Sequence, residues 1–150
     1  MMKPLELKFR EYTFRFRKRS GKDEVFDTLR KKFVALTPEE KVRQQLLNYL
    51  IVDLQYPKGL IGVEKGLNVN GNPRRMDIVV YDRGGSAFMI LECKSPSVKI
   101  TQEVFDQAAM YNLTLKVPYL VVCNGDETYC CKIYWEEKEF EFLNEFPKVN

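Results

Sequence analysis

Two apolar runs joined by Asp82-Arg83-Gly84-Gly85 constrain this 150-residue chain more than any other feature. Arg74 to Tyr81 reads as one strand, with β-branched bulk from Ile78, Val79 and Val80. Ala87 to Lys94 reads as the next, and the Gly-rich link suits a hairpin. Side chains alternate across a strand, so Asp77, Val79 and Tyr81 share one face. Phe88, Ile90, Glu92 and Lys94 share a face of the partner strand. Paired, the strands bring Asp77 near Glu92 and Lys94. Two carboxylates and a lysine at the end of a buried sheet are costly unless they bind something. A divalent cation is the ligand that such a pair suits.

Asp77, fourteen residues, then Glu92-Cys93-Lys94 resembles the motif of the PD-(D/E)xK nuclease superfamily. Other stretches narrow the likeness: TPEEKVRQQLLNYL at 37–50, VEKG at 63–66, DQAAMY at 106–111 and LVVCNG at 120–125. In that order, over roughly residues 24–130, they resemble the N-terminal nuclease domain of type I restriction enzyme restriction subunits, in a short stand-alone form. The resemblance implies an α/β restriction-endonuclease-like core. Its order is a helix, a three-stranded antiparallel meander, a crossover helix and a further strand, here with an N-terminal β extension. It implies phosphodiester hydrolysis in nucleic acid, with DNA the expected substrate. Asp77, Glu92, Lys94 and Glu39 would be the catalytic residues. Asp77, Glu92 and the backbone carbonyl of Cys93 would hold Mg²⁺ or Mn²⁺, since hard oxygen donors suit these ions and a thiol does not. Lys94 would orient the attacking water or stabilise developing charge. Gln107 and Tyr111, one helical turn apart, resemble the QxxxY pair that contacts nucleic acid beside such sites.

The chain has no histidine, which excludes Ser-His-Asp triads, Cys-His dyads and His-ligated metals. Acid–base work falls to carboxylates, lysine, tyrosine or metal-bound water. Cys93, Cys123, Cys130 and Cys131 match no zinc spacing and read as buried free thiols. No apolar run nears a membrane span and the N-terminus is charged, so a cytoplasmic protein with no membrane partner is expected. Residues 1–34 hold eleven Lys/Arg against five Asp/Glu, a net of +6, whereas the remainder is −3. The basic end could meet a phosphate backbone or could be a solvated surface.

Length predicts one domain, residues 1–150, with a β-rich basic extension at 1–23, a core at 24–135 and an acidic segment at 136–150. Residues 5–17 alternate with period two and predict edge strands. Arg15, Arg17 and Arg19 would line one face, to grip phosphates or to guard an edge. Val25, Leu29 and Phe33 predict a short helix over 25–36. Thr37-Pro38 opens the main helix, running to about Gln55, with Val42, Leu46, Tyr49 and Leu50 inward. That face includes Glu39, whereas capping alone would explain Glu40, the fallback for the site. Glu64 either joins the acidic cluster or pairs with Arg74 or Arg75. Asn70-Gly71 predicts a turn. Thr101 to Lys116 predicts a helix burying Val104, Ala108, Tyr111 and Leu115. Tyr119–Cys123 then reads as a parallel strand, Tyr129–Trp135 as another, and Glu136–Glu145 as a solvated tail. No Walker-type phosphate loop occurs, so the translocating motor of a type I restriction subunit is expected to be absent. Partner subunits of a restriction or defence system could supply it. The alternative is a catalytically silent module that binds nucleic acid or protein.

Overall fold

The computed structural model describes residues 2–69, 71–112 and 115–149, except the side chains of 67–69, 72–74 and 111. The protein is mixed α/β, with two sheets and few helices. Strands β1 (Phe16–Arg19), β2 (Lys22–Asp27) and β3 (Lys32–Ala35) form a small antiparallel sheet. Helix α1 (Pro38–Asn48) follows, continued by a π-helical turn at Tyr49–Asp53. The large sheet has the order β4 (Ile61–Val69), β5 (Asn72–Tyr81), β6 (Ala87–Cys93), β7 (Tyr119–Cys123), β8 (Thr128–Tyr134), β9 (Glu139–Phe142). Only the β6–β7 pair is parallel, because helix α2 (Gln102–Asn112) carries the chain back between them.

Alternation on β5 and β6 sorts the core into two layers. Ile78, Val80, Met89, Leu91 and Cys93 pack with Val42, Leu46, Leu47 and Leu50 of α1. Met76, Val79 and Ile90 pack with Phe105, Ala108 and Ala109 of α2. Cys93 therefore turns its thiol away from the Ile90 face, with Met89 and Leu91. The four cysteines are free and buried.

Several expectations need correction. Residues 2–15 form no strand, although Leu5, Leu7 and Phe9 still pack on the α1 layer. Their alternation buries one side of an extended segment tied to the body by Leu5 N–H to the Thr128 carbonyl and by Arg10 and Tyr12 to Asp53. Residues 25–36 are not a helix. They are β2, a turn and β3, with Val25 paired to Val34 and Phe26 to Phe33. The turn is held by Asp27, whose carboxylate accepts from the N–H groups of Leu29 and Arg30. Helix α2 buries Phe105, Ala108 and Ala109, so its inward face is rotated from the expected one; Val104 is only partly buried. Residues 139–142 add β9 to the sheet edge and Phe146 enters the core, so the acidic segment is not a solvated tail. Asn70 and the side chains of Arg74 and Tyr111 lie outside the described residues.

Candidate active site

The expected hairpin forms as β5 and β6, with Ile78 opposite Leu91 and Val79 opposite Ile90. The β5–β6 ladder stops there, and beyond it the Asp77 side chain takes over the pairing. Its Oδ2 accepts the Cys93 N–H at 2.8 Å. Lys94 lies one residue beyond β6, its N–H donating to the Cys123 carbonyl of β7. The β5–β6 ladder thus ends where the polar residues begin.

The four expected catalytic side chains feel one another there. Burial, then the Asp77 charge, pushes the Glu92 carboxyl up to about 7; Lys94 pulls it back, while a hydrogen bond to Asp77 and the Glu39 charge raise it further. Asp77 and Glu92 are therefore neighbours at this end of the sheet. Glu39 is pushed up by burial and by Asp77, and held down by Arg43 and Lys94. Among the described residues no group of three or more His, Cys, Asp and Glu side chains is arranged for a metal ion. The donor set is two carboxylates, and Mg²⁺ is commonly held by one or two, with water and phosphate completing the shell. Both Asp77 oxygens already accept one bond each, from Arg43 and from Cys93, but each keeps a second lone pair. The Asp77 charge, second to burial in raising the Glu92 carboxyl, is a crowding of negative charge that a dication would relieve.

The helix phase at Glu39 and Glu40 departs from expectation. Thr37 Oγ1 caps α1 by accepting the Glu40 N–H at 3.0 Å. The Glu40 side chain does not close a capping box with Thr37. It is buried, and accepts from Arg30 Nη2 at 2.9 and 3.0 Å and from Arg43 Nη1 at 3.0 Å. Glu39 is 48% exposed. The reason is the small sheet, which covers the Glu40, Arg43 and Gln44 side of α1 through Arg30 and Asp27. Glu39 projects from the first turn with no such cover.

Two site residues were missed by sequence reasoning. Arg43 is 7% exposed and joins Glu40, Glu64 and Asp77, at 3.0, 3.2 and 2.9 Å. Arg30 joins Asp27, Glu40 and Glu64, at 2.7, 2.9 and 3.1 Å. Burial pushes the Asp27 carboxyl up, but the Arg30 backbone and guanidinium outweigh it and hold the group below its ordinary value. A signal for Arg43 existed: Leu46, Leu47 and Leu50 follow it at i+3, i+4 and i+7, so a charge sits on the apolar stripe of α1. Glu64 meets these arginines rather than only Arg75, which stands 4.0 Å away.

A cleft of about 740 Å³ opens beside this cluster, walled by Arg30, Lys32, Phe33, Glu39, Glu64 and Ser95. A larger one, about 900 Å³, lies by Tyr56, Tyr119 and Phe146 and holds no candidate residue. Of the four expected catalytic residues, Glu39 lines the smaller cleft, whereas Asp77, Glu92 and Lys94 are not among its lining residues. Of the expected nucleic-acid contacts, Arg15 stacks 5.2 Å over Phe26 and Arg17 stacks 4.0 Å over Phe33, with Arg17 Nε also 2.7 Å from Glu24. Arg19 ends β1, exposed. Gln107 is exposed on α2.

The fold and site define an α/β protein whose central hairpin ends in a carboxylate pair beside a lysine. The chain belongs to the family described as type I restriction enzyme R protein N terminus (HSDR_N), whose model matches residues 38–147, more than half of it. That family sets the protein in the context of restriction–modification. A similar solved structure is a fragment assigned as an HsdR subunit of a type I restriction enzyme from Vibrio vulnificus YJ016. It is 18% identical over 59% of this chain and 19% of that one, with a TM-score of 0.40. The chain thus spans about a fifth of that structure. No curated protein matches the sequence. Among the described residues no helix is long and apolar enough to cross a membrane.

Proposed function

We propose that the protein is a metal-dependent nuclease of the PD-(D/E)xK type, with a restriction-endonuclease-like core, hydrolysing phosphodiester bonds in DNA. The observation that carries this reading is the carboxylate pair at the end of the β5–β6 hairpin: Asp77 and Glu92, both partly buried, with Asp77 Oδ2 accepting the Cys93 N–H at 2.8 Å, and with burial and the Asp77 charge raising the Glu92 carboxyl while Lys94 lowers it. Family membership supports it. Asp77, Glu92 and the Cys93 backbone carbonyl would hold Mg²⁺ or Mn²⁺, which when bound polarises phosphate and lowers the pKa of water. Lys94 orients the attacking water and stabilises charge on the phosphate oxygens as the water oxygen bonds to phosphorus and the ester oxygen leaves. Glu39, at the mouth of the cleft, can take up a proton from that water. Arg15, Arg17 and Arg19 form a basic edge on the small sheet. Phe33, under Arg17, also lines the cleft, so a strand held on that edge leads towards Glu39. Gln107 and Tyr111 would position the strand from α2.

The test is single-turnover cleavage of labelled DNA and RNA, single- and double-stranded, with Mg²⁺ or Mn²⁺. Wild type should cleave DNA. Lys94→Ala should bind metal and DNA yet cleave more slowly by a factor on the order of 10² or more. Equal rates per folded molecule would remove Lys94 from catalysis. If wild type cuts nothing but retains DNA, the silent binding module is the better description.

A further inference from the structure

Arg43 sits where a purely structural arginine would not. Its side chain is 93% shielded, being 7% exposed, yet its Nε has no hydrogen-bond partner. A buried unpaired donor is costly. What the orientation achieves is to spread both terminal nitrogens over the site. Nη1 donates to Glu40 and Glu64, and Nη2 donates to Asp77 Oδ1 at 2.9 Å, with Glu39 at 3.9 Å. Asp77 Oδ2 is held by the Cys93 N–H. A planar guanidinium and one amide thus fix both oxygens of one carboxylate.

The backbone is also bent towards this arrangement. Between β4 and β5, Val63 pairs with Ile78 and Lys65 with Met76, but the rung between them, Glu64 with Asp77, is not made. Glu64 has φ of 52°, a left-handed conformation unusual for glutamate. Its carboxylate then bridges Arg43 and Arg30. Arg30 lies in the turn between β2 and β3 of the small sheet and is anchored by Asp27.

We infer that Arg43 is a positioning residue for Asp77, and that Arg30 of the N-terminal sheet supports it through Glu40 and Glu64. Part of the site's scaffold therefore comes from residues 27–30, outside the stretch that matches the family model. The inference rests on the proposed nuclease role of Asp77 only for its functional consequence.

The Cys93 amide reports the orientation of Asp77 directly and without metal. Arg43→Lys keeps the charge but loses the fork. By NMR of the metal-free protein, the Cys93 amide should shift and exchange about tenfold faster, while α2 amides stay unchanged. Mn²⁺ affinity by calorimetry should fall about 10–100-fold, the range for losing an outer-shell partner of a metal ligand. Arg30→Lys should move the same amide less. A folded Arg43→Lys protein with the wild-type Cys93 amide and wild-type Mn²⁺ affinity would overturn the inference, leaving the network a clamp for α1. If wild type binds no Mn²⁺ and cleaves nothing, the nuclease reading fails, and the Cys93 amide alone decides whether Arg43 orients Asp77.

Discussion

The two faces of the large sheet bury similar apolar layers but end differently. Against α2, Met76, Val79, Ile90 and Phe105 close an almost wholly apolar layer. Against α1, an equally apolar layer gives way at one end to Asp27, Arg30, Glu40, Arg43, Glu64 and Asp77, bound in one network. The first face is held by apolar burial, which protons and divalent cations leave unchanged. The second is held by charge, so its stability depends on protons and cations. The contrast marks the charged end as the place where the proposed chemistry would be set against stability, since buried ion pairs are often no more stabilising than apolar side chains of similar size.

The largest effect should come from the apolar face. Phe105→Ala removes a fully buried ring and should cost about 3–5 kcal/mol by denaturant unfolding. That loss should be the same with and without Mg²⁺; a metal-dependent loss would mean that the two faces are coupled.

On the charged face, Glu40→Gln removes a buried carboxylate from between two arginines and should cost about 1.5–3 kcal/mol. Glu39→Gln, at a half-exposed position, should change stability by no more than about 0.5 kcal/mol while slowing cleavage more than Glu40→Gln does. Equal destabilisation by the two would show that the small sheet does not cover α1 as described.

A further effect on the charged face concerns pH. Glu92 titrates at about 7 when folded and near its ordinary value when unfolded, so the folded state binds the proton more tightly. Its contribution is fully present below the unfolded value and is lost as pH rises through about 7. The metal-free protein should therefore melt at a lower temperature at pH 8 than at pH 5. Glu92→Gln should flatten that slope, and an unchanged slope would place the titration elsewhere.

Local features were legible in the sequence. The period-two runs and Gly84-Gly85 mark β5 and β6, and Thr37-Pro38 marks the start of α1, because each is decided within a few residues. What could not be read was decided at a distance. Val25, Leu29 and Phe33 mimic a helical stripe, and the turn between β2 and β3 has no glycine: Lys31 takes φ of 55° itself. The burial of Glu40 over Glu39 depends on a sheet that reaches α1 only after folding. Arg30 and Glu64 lie far apart in the chain and acquire meaning only when they meet.

The cysteines carry a consequence for kinetics. Cys93, Cys123, Cys130 and Cys131 occupy strands β6 to β8, none of them an edge of the large sheet. Burial raises all four thiols, Cys130 and Cys131 to about 12, so almost none is present as the reactive thiolate at neutral pH. Each of these strands is paired with a neighbour on both sides. A thiol reagent will therefore be blind to local motion and will count only the rare events in which the centre of the sheet comes apart.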